Sequence, residues 1–188
     1  KRGLLLVGLM SAELILGGAR SGKSTYAERL ARQSGRRVTV IATALPLDDE
    51  MAARIRAHRE GRPPEWETVE APYDLATALQ TAAMTDRFVI VDCLTLWATN
   101  HLCPQESNGT DGSPSRWLAA RCALLESISS VAGEVVVVSN EIGWGVVPMG
   151  ASTRRFVDEL GWLNQAVAAR CGTVTLLAAG LPVRLKER

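Results

Sequence analysis

Residues Gly17 to Ser24 read GGARSGKS, which matches the Gly-x-x-x-x-Gly-Lys-Ser/Thr pattern of a phosphate-binding loop. The preceding stretch, Ala12 to Leu16 (AELIL), is apolar enough for a buried strand, and Ser24 to Gln33 has the apolar spacing of a helix. A strand, a glycine-rich turn and a helix in this order are the context that favours nucleotide binding. The alternative is a glycine-rich turn that happens to carry a surface lysine.

The chemistry of this loop depends on its backbone. Glycines let the chain turn steeply and approach phosphate closely, and successive N–H groups then point at phosphate oxygens at the start of the next helix. Lys23 would neutralise charge on the β- and γ-phosphates, and the Ser24 hydroxyl would ligate Mg²⁺. We predict nucleotide binding by Gly17, Gly18, Ala19, Arg20, Ser21, Gly22, Lys23 and Ser24, with Lys23 also catalytic.

Composition narrows the class of protein. The chain has 188 residues, 47% of them apolar, which predicts one globular domain spanning 1–188. Its net charge of +1 gives no support for a nucleic-acid or membrane-surface binder. No apolar run reaches the roughly 18 residues of a membrane span. The 4 cysteines form no CxxC pair, so we expect reduced thiols and a cytoplasmic location.

Strands that are apolar throughout alternate with helical patterns along the chain. This alternation predicts an α/β fold, with a mainly parallel sheet covered by helices on both faces, of the P-loop NTPase type with a RecA-like core. The further strands are predicted at 38–42, 88–91, 134–138 and 173–178. The further helices are predicted at 48–59, 73–84, 117–131 and 153–170, with 94–102 either a helix or a connector.

Two segments stand apart from this pattern. The stretch 104–114, PQESNGTDGSP, is polar and rich in glycine, which predicts a surface loop. The first nine residues, 1–9, are interpreted as upstream or added sequence, with Met10 as the natural start.

Asp92 is the candidate second ligand for Mg²⁺. It ends the apolar strand FVIV, which would place its carboxylate at the open carboxyl edge of the sheet, where α/β folds bind ligands. The alternative is an aspartate that caps the following helix.

His58 has two interpretations on its spacing alone. It shares a helix face with Arg54 and Ile55, and a histidine among arginines tends to stay neutral, which suits a nucleophile. The other interpretation is a solvated helix with an incidental histidine, and the spacing by itself favours this one.

Longer motifs resemble one family. The chain is similar to the bifunctional adenosylcobinamide kinase/adenosylcobinamide-phosphate guanylyltransferases of cobalamin biosynthesis. The similarity runs in order across nearly the whole chain, and DDEMAARI with HREGRP and SNEIGWGVVP are far more specific than the P-loop. The matching stretches lie at 17–24, 41–63, 66–72, 91–102, 139–148, 154–168 and 178–186.

The resemblance implies two reactions. ATP or GTP first phosphorylates the aminopropanol hydroxyl of adenosylcobinamide. GTP then donates GMP to adenosylcobinamide phosphate, which gives adenosyl-GDP-cobinamide and pyrophosphate. The second reaction of the family passes through a covalent GMP-histidine, and the family's histidine falls on His58 here.

The resemblance also assigns nucleotide-binding residues outside the P-loop. Arg59 and Arg62 would hold phosphates with planar forks of donors, or else belong to a solvated helix end. Glu70 would accept hydrogen bonds from a guanine edge or a ribose, or else is an exposed loop acid. The full set implied by the family is Ala42, Thr43, Ala44, Arg59, Glu60, Gly61, Arg62, Glu70 and Asp92.

The expected partners follow from the same resemblance. They are adenosylcobinamide, its phosphate and further copies of the chain, most simply in a trimer with the His58 helix near a subunit boundary. Three alternatives stay open: a generic P-loop kinase or NTPase without guanylyl transfer, a regulatory or motor ATPase, and a non-catalytic nucleotide-binding subunit. The His58 motif argues against the last two.

Overall fold

The computed structural model describes residues 12–103 and 113–187. The strands are β1 (Ala12–Gly17), β2 (Arg37–Ala42), β3 (Glu67–Glu70), β4 (Arg87–Asp92), β5 (Glu134–Val138), β6 (Thr173–Ala178) and β7 (Leu181–Lys186). The helices are α1 (Lys23–Ser34), α2 (Asp49–Glu60), α3 (Leu75–Ala82), α4 (Leu94–Leu102), α5 (Pro114–Ser130) and α6 (Ala151–Arg170). The stretch 94–102, for which a helix and a connector were both open, is therefore the helix α4.

The strands form one sheet in the order β3-β2-β4-β5-β1-β6-β7. Neighbouring strands pair in parallel from β3 to β6, and only β7 runs antiparallel, against β6. The predicted mainly parallel sheet is confirmed.

Alternate side chains of each central strand enter two different cores. In β4, Val89 and Val91 pack with residues from α3, α4, α5 and α6. Phe88 and Ile90 of the same strand pack on the other face with Tyr26 and its neighbours from α1. Helices thus cover both faces, as predicted, and this explains why the central strands are mostly apolar rather than alternating between apolar and polar residues.

The structure adds two strands that the sequence pattern did not predict. β3 reads ETVE and contains no fully buried residue, and β7 reads LPVRLK with a proline inside it. Both are edge strands, where one side of the backbone is unpaired and proline and polar residues are tolerated. Neither therefore shows the continuous apolar run that identifies the central strands.

The remaining predicted boundaries hold to within a few residues. The predicted loop 104–114 lies outside the described residues except for Ser113 and for Pro114, which begins α5. The segment 1–9 also lies outside them. No helix in the described part of the chain has both the length and the apolar character that a membrane crossing requires.

Candidate nucleotide site

The register of the sheet aligns the ends of its parallel strands. Ala42 lies opposite Glu70 on β3 and opposite Asp92 on β4. Asp92 in turn lies opposite Val138, and Val138 opposite Ile15, just before the P-loop. The predicted residues on β2, β3 and β4 therefore share one edge with Gly17–Ser24, as expected for ligand sites in such sheets.

The P-loop connects β1 to α1 and begins with a glycine that the packing requires. Gly17 has φ 154°, and a Cβ placed on it would lie 2.5 Å from the carbonyl oxygen of Leu177 and 2.6 Å from Ser21 Oγ. Within the loop, Ser21 N–H donates to the Gly18 carbonyl over 3.3 Å. A side chain at Gly17 would push the loop away from β6.

A second close approach lies at the start of α1. Gly22 has φ 96°, and a Cβ on it would lie 3.2 Å from the Cα of Gly180. The Gly180 N–H also donates to the Ser21 carbonyl over 3.0 Å. The turn between β6 and β7 thus supports the P-loop from outside. Sequence reasoning gave Gly180 no role, although a glycine directly after the last predicted strand is a signal for a special turn.

Lys23 lies within the loop that it would serve. Its side chain is buried, and Nζ donates to the Gly18 carbonyl oxygen over 2.6 Å and lies 3.4 Å from Ser21 Oγ. Burial lowers the pKa of Lys23 below its usual value. The electrostatic effects of Cys93 and Asp92 raise this pKa, and the charge of Arg54 lowers it further. The structure therefore holds one cationic group at the centre of the loop, close to the Asp92 carboxylate.

Asp92 pairs with an arginine from the predicted His58 motif. Arg62 Nη2 lies 3.5 Å from Asp92 Oδ2, and the two side chains are only 9% and 21% exposed. Ser24, Arg62 and Asp92 line one cleft together with Glu28, Val40 and Ile90. The capping role considered for Asp92 is not realised, because the N-cap of α4 is Cys93.

The cleft offers oxygen donors that suit Mg²⁺. The donors are the Ser24 hydroxyl and the Asp92 carboxylate, and Mg²⁺ prefers oxygen ligands, usually one or two carboxylates completed by substrate phosphates and water. Among the described residues, no group of three or more His, Cys, Asp or Glu side chains could hold a metal on its own.

Thr43 joins the ends of β2 and β4. It is fully buried, its hydroxyl donates to the Cys93 carbonyl over 2.7 Å, and it accepts from the Cys93 N–H over 2.9 Å. Asn100 Nδ2, which sequence reasoning missed, donates to the Thr43 carbonyl over 2.8 Å. Thr43 thus fixes the strand ends, while Ala42 and Ala44 beside it are half-exposed.

The Cys93 side chain is a thiol at neutral pH. Burial raises its pKa to about 11.

Helix α2 carries His58 above this edge. No side chain of α2 is fully buried, and the helix begins with the Asp48 carboxylate accepting from Met51 N–H over 2.7 Å. Arg54 is near enough to Lys23 for its charge to lower the pKa of that lysine. His58 is four residues after Arg54, so these two side chains share one face of α2. No hydrogen bond or ion pair joins His58 to the P-loop among the described residues.

Arg59 and Glu70 form a looser pair. Arg59 Nη1 lies 3.9 Å from Glu70 Oε1, and the side chains are 67% and 75% exposed. An exposed pair of this kind contributes only about 0–1 kcal/mol. Both groups therefore remain available to a ligand, at the mouth of the site. Glu60 ends α2, and Gly61 follows as its C-cap.

The family comparison covers almost the whole described chain. A family model described as cobinamide kinase / cobinamide phosphate guanyltransferase matches residues 13–185. A bifunctional adenosylcobalamin biosynthesis protein of Pseudomonas aeruginosa is 52% identical over 174 residues, covering 93% of this chain and 96% of that protein. One of Escherichia coli K12 is 40% identical over 182 residues, covering 92% and 98%.

Solved structures match the fold alone. An ATPase from the type III secretion system of pathogenic bacteria aligns with a TM-score of 0.50 and 11% identity, over 94% of this chain and 57% of that one. At this identity the likeness supports the P-loop NTPase fold and carries no argument about the reaction.

Gly17→Ala should destabilise the protein by about 2–4 kcal/mol, because its Cβ would meet the Leu177 carbonyl and its φ disfavours a side chain. Urea denaturation followed by circular dichroism measures the change. Gly18→Ala is the matched control, because a Cβ there meets nothing within 4 Å, and it should change stability by less than about 0.5 kcal/mol. Equal stability of the two variants would contradict the close approach.

Proposed function

Because the chain belongs to the cobinamide kinase / cobinamide phosphate guanyltransferase family, we propose that it carries out both reactions with the residues at the carboxyl edge of its sheet. Adenosylcobinamide is phosphorylated by ATP or GTP, and adenosylcobinamide phosphate then receives GMP from GTP. The observation that carries the proposal is the pairing of Arg62, from the His58 motif, with Asp92 beside the P-loop.

The phosphorylation step uses the P-loop. Its backbone N–H groups and Lys23 hold the triphosphate, and the hydroxyl oxygen of the substrate attacks the γ-phosphorus. A bond forms from that oxygen to phosphorus while the bond to the nucleoside diphosphate breaks, and the hydroxyl proton is released. Lys23 supports this transfer because its charge stays next to the phosphate oxygens throughout, and such positioned charges supply most of the catalysis in phosphoryl transfer.

The guanylyl transfer uses His58. A nitrogen of the neutral imidazole forms a bond to the α-phosphorus of GTP, and pyrophosphate leaves with the electron pair of the broken phosphorus–oxygen bond. A phosphate oxygen of the corrinoid then attacks the same phosphorus, and the electron pair of the phosphorus–nitrogen bond returns to the imidazole. A covalent intermediate divides one difficult transfer between two anions into two easier steps.

Arginines around His58 support this assignment. Arg59 is exposed next to Glu70 at the mouth of the site, and Arg62 lies inside the cleft with Ser24. Guanidinium groups bind phosphates with two parallel hydrogen bonds, which orients as well as neutralises them. Glu70, Ala42, Ala44, Glu60 and Gly61 complete the proposed nucleotide site, whereas Thr43 supports it by fixing the strands.

Mg²⁺ is part of the proposal. Ser24 and Asp92 would hold it, and the ion would neutralise charge on the triphosphate. For Asp92 to ligate the ion, its contact with Arg62 has to loosen, since both cations would draw on the same carboxylate.

The generic P-loop kinase or NTPase remains the alternative function. It explains the P-loop, Lys23 and Asp92 equally well. An arginine in the cleft would also suit it, because arginines bind phosphates in kinases as well. It does not explain the family match, which covers residues 13–185.

We further infer a homo-oligomer, a trimer by family resemblance, of single-domain chains in the cytoplasm. Two observations support an assembly. Helix α2 buries no side chain, and edge strand β7 exposes Leu181, Val183 and Leu185 at alternate positions. The described cysteines form no disulfide, which fits a reducing compartment.

His58→Asn should abolish covalent labelling by α-³²P-GTP, because the amide side chain offers no nucleophilic ring nitrogen. Wild type should show an acid-labile, alkali-stable label on a denaturing gel. Phosphorylation of adenosylcobinamide should persist in the variant. Arg56→Gln, two positions away and so on another side of α2, should keep the label. Labelling of His58→Asn at the wild-type level would remove His58 as the nucleophile.

Asp92→Asn should weaken binding of Mn²⁺, a paramagnetic substitute for Mg²⁺, at least about tenfold in the presence of GTP, since a ligand carboxylate is lost. Electron paramagnetic resonance of the free ion measures this directly. Asp86→Asn is the control, because Asp86 is an exposed acid just before the opposite end of β4. Unchanged Mn²⁺ affinity in Asp92→Asn would contradict the proposed ligand.

Sedimentation equilibrium should give about three times the chain mass of 20.2 kDa. A mass that stays at that of one chain up to high concentration would contradict the proposed assembly and would leave the chemistry of the site untouched.

A further inference from the structure

An apolar loop lies exposed between β5 and α6. We call residues 142–149 (IGWGVVPM) the Trp144 loop. Its large side chains are turned to solvent: Trp144 is 76% exposed, Val146 96%, Val147 74% and Met149 98%. A contiguous apolar surface of this kind usually marks a binding site for a ligand or a partner.

The Trp144 loop begins at the nucleotide site. The residue before it, Glu141, donates its N–H to the Gly17 carbonyl over 3.1 Å. Asn140 N–H donates to Thr95 Oγ1 over 2.8 Å, and the Asn140 carbonyl accepts from Asn164 Nδ2 over 3.1 Å. The loop therefore leaves the same sheet edge that carries the P-loop.

The far end of the Trp144 loop is also held. Arg154, in the first turn of α6, donates to the carbonyls of Pro148 over 2.9 Å and of Met149 over 2.5 Å. Because both ends are fixed by hydrogen bonds, the exposure of Trp144 and Val146 belongs to an anchored loop rather than to a frayed segment.

The chemistry of the loop excludes a triphosphate as its ligand. No residue of 142–149 carries a charge, whereas the phosphate-binding groups all lie in the P-loop and the Arg59–Arg62 segment. The other substrate of the proposed function, a corrinoid, is a broad macrocycle whose ring carbons and methyl groups are apolar and whose side chains are amides. Only its aminopropanol arm has to reach the phosphates, so the ring itself needs an apolar surface beside the P-loop.

We propose that the Trp144 loop binds the corrin ring of cobinamide. Trp144 packs against the apolar ring carbons and methyl groups of the macrocycle, and Val146 and Met149 extend the apolar contact. This inference rests on the proposed function, since the phosphorylated arm and the ring belong to the same molecule. It assigns the two substrates to separate surfaces, with nucleotide on the P-loop side and corrinoid on the Trp144 loop.

Trp144→Ala should weaken cobinamide binding at least about tenfold, as expected for the loss of a central aromatic contact. It should leave the affinity for GTP within a factor of about two, because the P-loop is intact. Equilibrium dialysis with adenosylcobinamide, detected by the visible absorbance of the corrinoid, measures corrinoid binding. A fluorescent GTP analogue measures GTP binding. Met149→Ser should also weaken cobinamide binding.

Each variant has a matched control. Trp162 is 55% exposed but lies on α6, away from the Trp144 loop. It is twelve residues beyond Gly150, the residue that follows the loop, which corresponds to roughly 18 Å along the helix. Met84 is 58% exposed and precedes β4, at the opposite edge of the sheet. Trp162→Ala and Met84→Ser should bind cobinamide as wild type does.

Three results would overturn the inference in distinguishable ways. If wild type phosphorylates adenosylcobinamide and Trp144→Ala binds it as tightly as Trp162→Ala, the assignment of the loop is wrong and the function stands. If Trp144→Ala lowers the sedimentation coefficient, the loop is an interface between copies of the chain. If wild type neither binds nor phosphorylates adenosylcobinamide, the proposed function itself is wrong.

Discussion

The active edge of this protein depends on backbone lying directly against backbone. Gly17 approaches the Leu177 carbonyl, and Gly22 approaches Gly180, with no room for a side chain at Gly17 and little at Gly22. The Gly180 N–H bonds to Ser21 across this contact. The shape of the phosphate loop is therefore set by the neighbouring β6–β7 turn as well as by its own sequence. Its anion-binding groups are peptide N–H donors, whose direction is fixed once the backbone is fixed.

The same tight packing determines what the rest of the edge can do. Thr43 bonds to both the N–H and the carbonyl of Cys93, so the ends of β2 and β4 cannot shift separately. The backbone of Asp92 is then held at the end of β4, opposite Ala42 and Val138. Its carboxylate is thereby kept in the cleft with Ser24 and Arg62.

Sequence alone predicted what local patterns encode. The P-loop, the apolar central strands and the strand-end Asp92 each follow from a few neighbouring residues, and the structure confirms the mainly parallel sheet. The edge strands β3 and β7 were not predicted, because ETVE and LPVRLK contain no continuous run of buried apolar residues. The roles of Asn100 and Gly180 were not predicted, because their hydrogen-bond partners, Thr43 and Ser21, are far away in the sequence. The spacing around His58 left its role open, and only the longer family motifs favoured chemistry.

Helix α2 connects the two proposed reactions. No side chain of this helix is fully buried, and Met51, Ala52 and Ile55 are only partly buried. Arg62, two residues beyond the helix, adds a well-buried polar contact to Asp92. The carboxylate proposed to serve the triphosphate is thus also the group that ties the His58 segment to the P-loop. In the proposed pair of reactions, this contact is a direct physical link between the segment that carries His58 and the carboxylate beside the P-loop.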